Sequence, residues 1–287
     1  MIWVVGASGM LGQELSAVLK TKGLDAVGTD RDIDFRKADA VAAFTHGKDI
    51  QWVVNCAAYT AVDKAEDEPE LAHSLNVDGP AVLARWCAAN KANLIHISTD
   101  YVFSGEGNSP YREDDHPAPT GVYGVTKEAG EQAVRGALEQ HIILRTAWLY
   151  GQYGPNFVAT MLRLMREKPE FGVVNDQWGA PTWAFDLSQV IAHLIQTNAS
   201  AWGTYHASGE GQVTWFGFTQ EIYREAKDLG LLTSTPVIKP LTTAQYPTKA
   251  KRPAWSVLSK AKLKSVYGLT FPQWKDSLAR YLHLIKG

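Results

Sequence analysis

Ile2-Trp3-Val4-Val5-Gly6-Ala7-Ser8-Gly9-Met10-Leu11-Gly12 reads as a strand, a glycine turn and the first turn of a helix. Four consecutive apolar residues suit a strand buried on both faces, and the apolar spacing then becomes helical through Leu15, Val18 and Leu19. Each glycine has a mechanical use. Gly6 permits the tight turn, Gly9 lets backbone approach a pyrophosphate, and Gly12 lets the helix pack close to the strand; the helix N-terminus adds N–H groups and the positive end of its dipole. The spacing Gly-x-x-Gly-x-x-Gly differs from the commoner Gly-x-Gly-x-x-Gly, but its place between a strand and a helix is that of a dinucleotide-binding turn. Gly6, Ser8, Gly9, Met10, Leu11 and Gly12 are therefore cofactor-binding candidates.

Outward from this turn the same alternation repeats. Ala26–Thr29, Trp52–Asn55, 93–97 and His141–Thr146 read as strands, with helical segments at 37–44, 63–70 and 71–89 between them. That order predicts an α/β protein with a doubly wound parallel sheet, whose ligands bind beyond the carboxyl ends of the strands. After the second strand, Asp30 stands where an acid binds the adenosine ribose hydroxyls, while Arg31 beside it suits a 2′-phosphate, so NADPH and NADH both stay open. Asp34 and Phe35 follow, and Phe35 suits either an adenine edge or a packing layer. Beyond the third strand, Ala57 and Ala58 are small enough for a cofactor to lie against backbone. Asn76, in an apolar helical face, is a structural amide that needs partners. The fourth strand delivers Ser98-Thr99-Asp100-Tyr101, where a hydroxyl can polarise a carbonyl.

Tyr123-Gly124-Val125-Thr126-Lys127 then opens a helix with Tyr123 and Lys127 one turn apart on one face. A free phenol titrates near ~10, and an ammonium beside it favours the phenolate, which suits proton transfer in carbonyl–alcohol chemistry. The loop of about fifteen residues before it, 105–119, is long enough to suggest function.

In the second half, 157–166, 186–196, 215–229 and 272–285 read as helices and 171–174 and 203–207 as strands. Lys249, Lys251 and Arg252 crowd one loop, either a phosphate site or a solvated face. Residues 1–150 are expected to bind the cofactor and 151–287 the substrate, with some chain crossing back. The 28 basic and 30 acidic residues leave a net charge of −2, so no global field recruits nucleic acid or membrane. No basic leader and no apolar run of about 18 residues predict neither signal peptide nor membrane span. Cys56 and Cys87 read as reduced thiols of a cytoplasmic protein. No Cys/His cluster of metal-ligand spacing and no Gly-x-Ser-x-Gly elbow support zinc hydrolysis or serine esterase chemistry.

Gly6-x-x-Gly9-x-x-Gly12, Ser98-Thr99-Asp100-Tyr101-Val102-Phe103-Ser104-Gly105 and Tyr123-x-x-x-Lys127 follow the order and spacing of the extended short-chain dehydrogenase/reductases. Along nearly its whole length the chain more narrowly resembles the dTDP-4-dehydrorhamnose reductase family. That match rests on Asn55-Cys56-Ala57-Ala58-Tyr59-Thr60-Ala61-Val62-Asp63, Arg145-Thr146-Ala147-Trp148-Leu149-Tyr150-Gly151, Asp176-Gln177-x-Gly179-x-Pro181-Thr182 and Arg252-Pro253. The resemblance implies a Rossmann-type NAD(P)H-dependent reductase acting at C4 of dTDP-4-dehydro-L-rhamnose, with Thr99, Tyr123 and Lys127 as the catalytic set. It implies cofactor contacts at Asp34, Phe35, Ala57, Ala58 and Tyr59. Thr60, Val62, Asp100, Trp148 and Arg252 would meet the sugar nucleotide, and the 249–252 loop would clamp its diphosphate. Some relatives hold Mg²⁺ through glutamates at a dimer contact, which leaves a homodimer and a Mg²⁺ site open here. Trp255 and Pro155 depart from the family pattern, both in the substrate half. An epimerase or dehydratase on the same scaffold, and a non-catalytic NAD(P)-binding subunit, are the competing readings; the intact Thr99, Tyr123 and Lys127 argue against the latter.

Overall fold

Residues 1–286 of the 287 are described by a computed structural model. Its centre is a six-stranded parallel sheet of β1 (Ile2–Val5), β2 (Ala26–Thr29), β3 (Trp52–Asn55), β4 (Asn93–Thr99), β5 (His141–Thr146) and β6 (Gly203–His206), in the order β6-β5-β4-β3-β1-β2. From β1 the chain steps one way to β2 and the other way through β3, β4 and β5. Strand order thus reverses between β1 and β3, and a crevice opens there at the carboxyl ends, beside the glycine turn.

Alternate residues of β1 supply both cores. Ile2 and Val4 pack with Leu15, Leu19, Leu187 and Ile191 under helix α1 (Met10–Thr21) and the Ala184–Gln196 helix. Trp3 and Val5 pack with Val53, Leu83, Leu94 and Val134 under the Gly79–Asn90 and Val122–Ala137 helices. Burying each such side chain contributes about 1.5–3 kcal/mol. Trp3 satisfies its one polar atom by donating Nε1–H to Thr29 Oγ1 at 2.8 Å. A separate cluster around Tyr150, Met161, Phe218, Trp274 and Leu278 forms the core of the later region. β6 pairs with β5, and the Ala184–Gln196 helix packs on α1.

The helix expected over 71–89 is present but carries one wider turn. Pro69–His73 is helical, Ser74–Asp78 forms a π turn, and the helix restarts at Gly79 with Pro80 in its first turn. Asn76 explains the widened turn. Its side-chain oxygen accepts from Tyr59 N–H at 2.8 Å, and its amide donates to Thr126 Oγ1 at 3.0 Å, so one buried side chain ties the loop after β3 to the Val122–Ala137 helix. The 63–70 segment likewise divides into Val62–Ala65 and the helix that Pro69 opens.

Beneath the crevice lies a buried ion network. Glu131, with no side-chain exposure, accepts Arg145 Nε and Nη2 at 2.9 and 2.7 Å, Ser98 Oγ at 2.5 Å and Arg135 Nη1 at 2.9 Å. It joins β4, β5 and the Val122–Ala137 helix. Burial pushes the Glu131 carboxyl up, but its donors Arg145, Ser98 and Arg135 outweigh that and hold it below the usual carboxylate value.

Candidate active site

A cleft of about 1100 Å³ runs along the carboxyl ends of the strands, from the glycine turn to the aromatic side chains of the later region. At the turn, Gly6 has φ +79°, and a Cβ there would meet Ala57 N at 2.7 Å. A Cβ at Gly12 would lie 2.2 Å from Gly6 O, so Gly12 serves helix–strand contact and does not line the cleft. Gly9 differs: within 4 Å its added Cβ would meet Gly6 O alone, at 3.3 Å, and Gly9 lines the cleft with Ser8, Met10 and Leu11. No side chain caps α1, and its first turn holds no acid, so its leading N–H groups face the cleft without an internal anion. These residues fit a dinucleotide pyrophosphate. Gly9→Val is therefore expected to leave the fold intact while weakening NADPH binding at least about ten-fold, a change measurable by calorimetry.

Farther along, Asp30, Arg31, Asp34 and Phe35 line the cleft. The Arg36 guanidinium donates to Asp34 at 2.7 and 3.0 Å, and this hydrogen bonding holds the Asp34 carboxyl below its usual value. Arg36 also borders the cleft and escaped the sequence reading, although an Asp-x-Arg pair was its signal. Phe35 is buried, and a Cβ on Gly79 would fall 2.1 Å from its ring, so its main role is packing. Ala57 and Ala58 line the cleft, but Tyr59 does not. Tyr59 turns away, donating to Glu68 Oε2 at 2.6 Å, and that hydrogen bond leads in pushing its phenol up to about 12. Its part is to fasten the loop rather than to contact a cofactor with its side chain.

Thr99, Asp100, Tyr101, Tyr123 and Lys127 meet at the middle of the cleft. Thr99 begins a short turn: Oγ1 accepts from Tyr101 N–H at 3.3 Å and donates to Asp100 Oδ1 at 3.0 Å. Burial raises the Asp100 carboxyl to about 6 against the pull of Ser256 and Thr99. Tyr123 and Lys127 stand on the buried side of their helix, which approaches closely because a Cβ at Gly124 would lie 2.3 Å from Tyr101 O. The Tyr123 ring meets Tyr101 edge-on, with centroids 5.4 Å apart. Lys127 Nζ donates to Ile97 O at 2.7 Å, and burial lowers its ammonium to about 8. The phenolate expected from the Tyr-x-x-x-Lys spacing is not favoured in this state. Burial pushes the Tyr123 phenol up, so it is a neutral acid holding its proton at neutral pH.

At the far end, Thr60, Val62, Trp148, Pro155, Trp215 and Arg252 line the cleft. Arg252 pairs with Asp63 at 2.5 Å and donates to Tyr101 Oη at 3.0 Å. Lys249 is paired with Asp67, and Lys251 lies 3.6 Å from Glu106, so of the basic run only Arg252 reaches the cleft. Trp255, one of the two departures, donates Nε1–H to Ser109 O at 2.8 Å, while its backbone N–H bonds Gly105 O. It fastens the 105–119 loop and does not line the cleft. Trp215 was missed as a site residue. Its signal was an aromatic directly after Thr214, a residue suited to cap a helix.

Among the described residues, no three His, Cys, Asp or Glu side chains gather to hold a metal ion. No helix among them is long and apolar enough to cross a membrane.

The family model described as RmlD substrate binding domain matches residues 1–286. The chain is 43% identical over 284 residues to a dTDP-4-dehydrorhamnose reductase of Streptomyces griseus, covering 96% of this chain and 91% of that protein. Its fold matches the crystal structure of a dTDP-4-dehydrorhamnose reductase from Clostridium acetobutylicum with a TM-score of 0.94 at 39% identity, covering 100% of this chain and 99% of the other. The enzyme of the same name from Bacillus anthracis, solved in complex with NADP, matches with a TM-score of 0.93 at 36% identity and the same coverage.

Proposed function

The chain belongs to the dTDP-4-dehydrorhamnose reductase family, and on that premise we propose that it reduces the C4 ketone of dTDP-4-dehydro-L-rhamnose to the alcohol of dTDP-L-rhamnose with NADPH or NADH. The observation that carries the reading is the meeting of Thr99, Tyr123 and Lys127 in the one cleft that the uncapped α1 N-terminus also faces.

Bound NAD(P)H supplies the hydride. The leading N–H groups of α1 would hold the pyrophosphate, Asp30 and Arg31 would meet the adenosine end, and Ala57 and Ala58 would leave room for the cofactor's body. Thr99 holds the substrate carbonyl oxygen, for which its hydroxyl must turn from Asp100. Tyr123 donates its proton to that oxygen as the C–H bond forms at C4, so one hydride and one proton give the secondary alcohol. Lys127 would hold the nicotinamide ribose through its ammonium, whose charge would favour release of the phenol's proton. Trp148 would face the sugar and Arg252 the diphosphate, so residues 1–150 would bind the cofactor and share the substrate with residues 151–287. Cys56 and Cys87 are free, which supports the reading of a cytoplasmic protein.

Lys127 sets the alkaline limit. Its folded value, lowered from 10.5 to about 8, leaves it charged below that pH and neutral above it. The kcat/KM for cofactor is therefore expected to fall as pH rises through about 8, because this quantity reports the free enzyme. A profile flat through this range would remove the Lys127 ammonium from cofactor binding.

The experiment that tests the function is spectrophotometric oxidation of NADPH, and separately of NADH, by the purified chain supplied with dTDP-4-dehydro-L-rhamnose. Stoichiometric appearance of dTDP-L-rhamnose supports the reductase. Isomerised sugar nucleotide without net cofactor consumption would replace it with an epimerase.

A further inference from the structure

Trp148 has φ +47°, a left-handed conformation that costs a bulky residue strain unless its surroundings hold it. Three contacts do so. Trp148 O accepts from Thr182 N–H at 3.2 Å; the edge of its indole fills the space a Cβ would take at Gly179, 2.3 Å from Cε2; and its face lies on the Trp215 ring, with centroids 3.4 Å apart and planes within 6°. Trp215 is itself fixed. It begins the Trp215–Asp228 helix, whose cap Thr214 accepts from Gly217 N–H at 3.0 Å and donates to Asn175 Oδ1 at 2.7 Å. The residues before it pair with Trp178–Gly179, and Phe157 braces its ring at 4.4 Å. Both stacked indoles line the cleft.

We propose that Trp215 is a positioning residue for sugar recognition: it holds Trp148 flat in the left-handed conformation, and the two indoles form one preformed wall for the apolar C–H face of the deoxyhexose ring. This rests on the proposed sugar-nucleotide substrate and extends it to a residue 67 positions from Trp148 in the chain (215 − 148). A wall fixed before binding spares the ordering of a large side chain on association, so its loss falls on the sugar and spares the nucleotide.

The test compares dTDP with dTDP-L-rhamnose by titration calorimetry on the full chain with NADPH present. The ratio of their dissociation constants isolates the sugar. Trp215→Leu is expected to lower that ratio about ten-fold while the affinities for dTDP and NADPH stay within about three-fold, and Trp215→Phe, which keeps a flat ring, to retain most of it. An unchanged ratio in Trp215→Leu overturns the proposal, and so does a parallel loss of dTDP and NADPH affinity, the mark of a merely structural role. Failure of Trp215→Phe to do better than Trp215→Leu would overturn the flat-wall assignment. If the wild type binds dTDP-L-rhamnose tighter than dTDP, loses that margin in Trp215→Leu and turns over no ketosugar, the reaction fails and the wall stands.

Discussion

Tyr123→Phe is expected to lower kcat about a thousand-fold, within the range that a positioned general acid contributes, while NADPH affinity stays within a few-fold. The asymmetry follows from the site. Burial keeps the phenol protonated, and the Tyr123 ring packs edge-on against Tyr101, a contact that phenylalanine preserves. What the substitution removes is the proton delivered to the forming alkoxide. Thr99 would remain to hold the oxygen, but its hydroxyl is shared with Asp100 and is far too weak an acid to replace the phenol. Single-turnover kinetics with saturating NADPH separates this loss from any change in binding. A variant retaining near-normal turnover would take the acid role from Tyr123.

The largest effect on stability is expected from Glu131→Ala. This change strands Arg145, only 2% exposed, without the carboxylate that takes two of its hydrogen bonds, and leaves Ser98 Oγ without its acceptor. Breaking a buried pair in this way costs about 3–5 kcal/mol, a large part of the 5–15 kcal/mol that holds a typical domain folded. The midpoint of urea unfolding should drop accordingly. Replacing both partners, Glu131→Leu with Arg145→Met, should recover much of the loss, because no bare charge is then left inside and Arg135 is free to turn to solvent. The network also gives a sign for acid unfolding. With the Glu131 carboxyl held below its ordinary 4.5, its stabilising contribution is present above that pH and is lost as pH falls through the folded value. A single variant as stable as the wild type would mean that Arg145 finds another partner.

The sheet was legible because its signals are local. Four apolar residues before Gly6, a helical period after Gly12 and polar groups after β4 depend on neighbours within a turn or two, and backbone preference acts over that range. The Tyr123–Lys127 spacing was legible for the same reason. The π turn inside the helix over 71–89 was not legible, because Asn76 answers to Tyr59 and Thr126, seventeen and fifty positions away. The basic run at 249–252 stayed open between a phosphate site and a solvated face for the same reason. Asp67 and Glu106 take its lysines, and no spacing within the run announces them.

Sequence by itself determined the doubly wound α/β architecture, the strand–glycine turn–helix at residues 2–21 and the Tyr123–Lys127 spacing on one helix, since each is written in residues close together in the chain. Tertiary structure alone decided which side chains face the cleft, that Arg252 meets Asp63 across 189 positions, and that Trp148 stacks on Trp215. It also decided the proton affinities. A Tyr-x-x-x-Lys spacing argues for a lowered phenol, but desolvation depends on everything packed around the group, and here it raises the Tyr123 phenol and lowers the Lys127 ammonium.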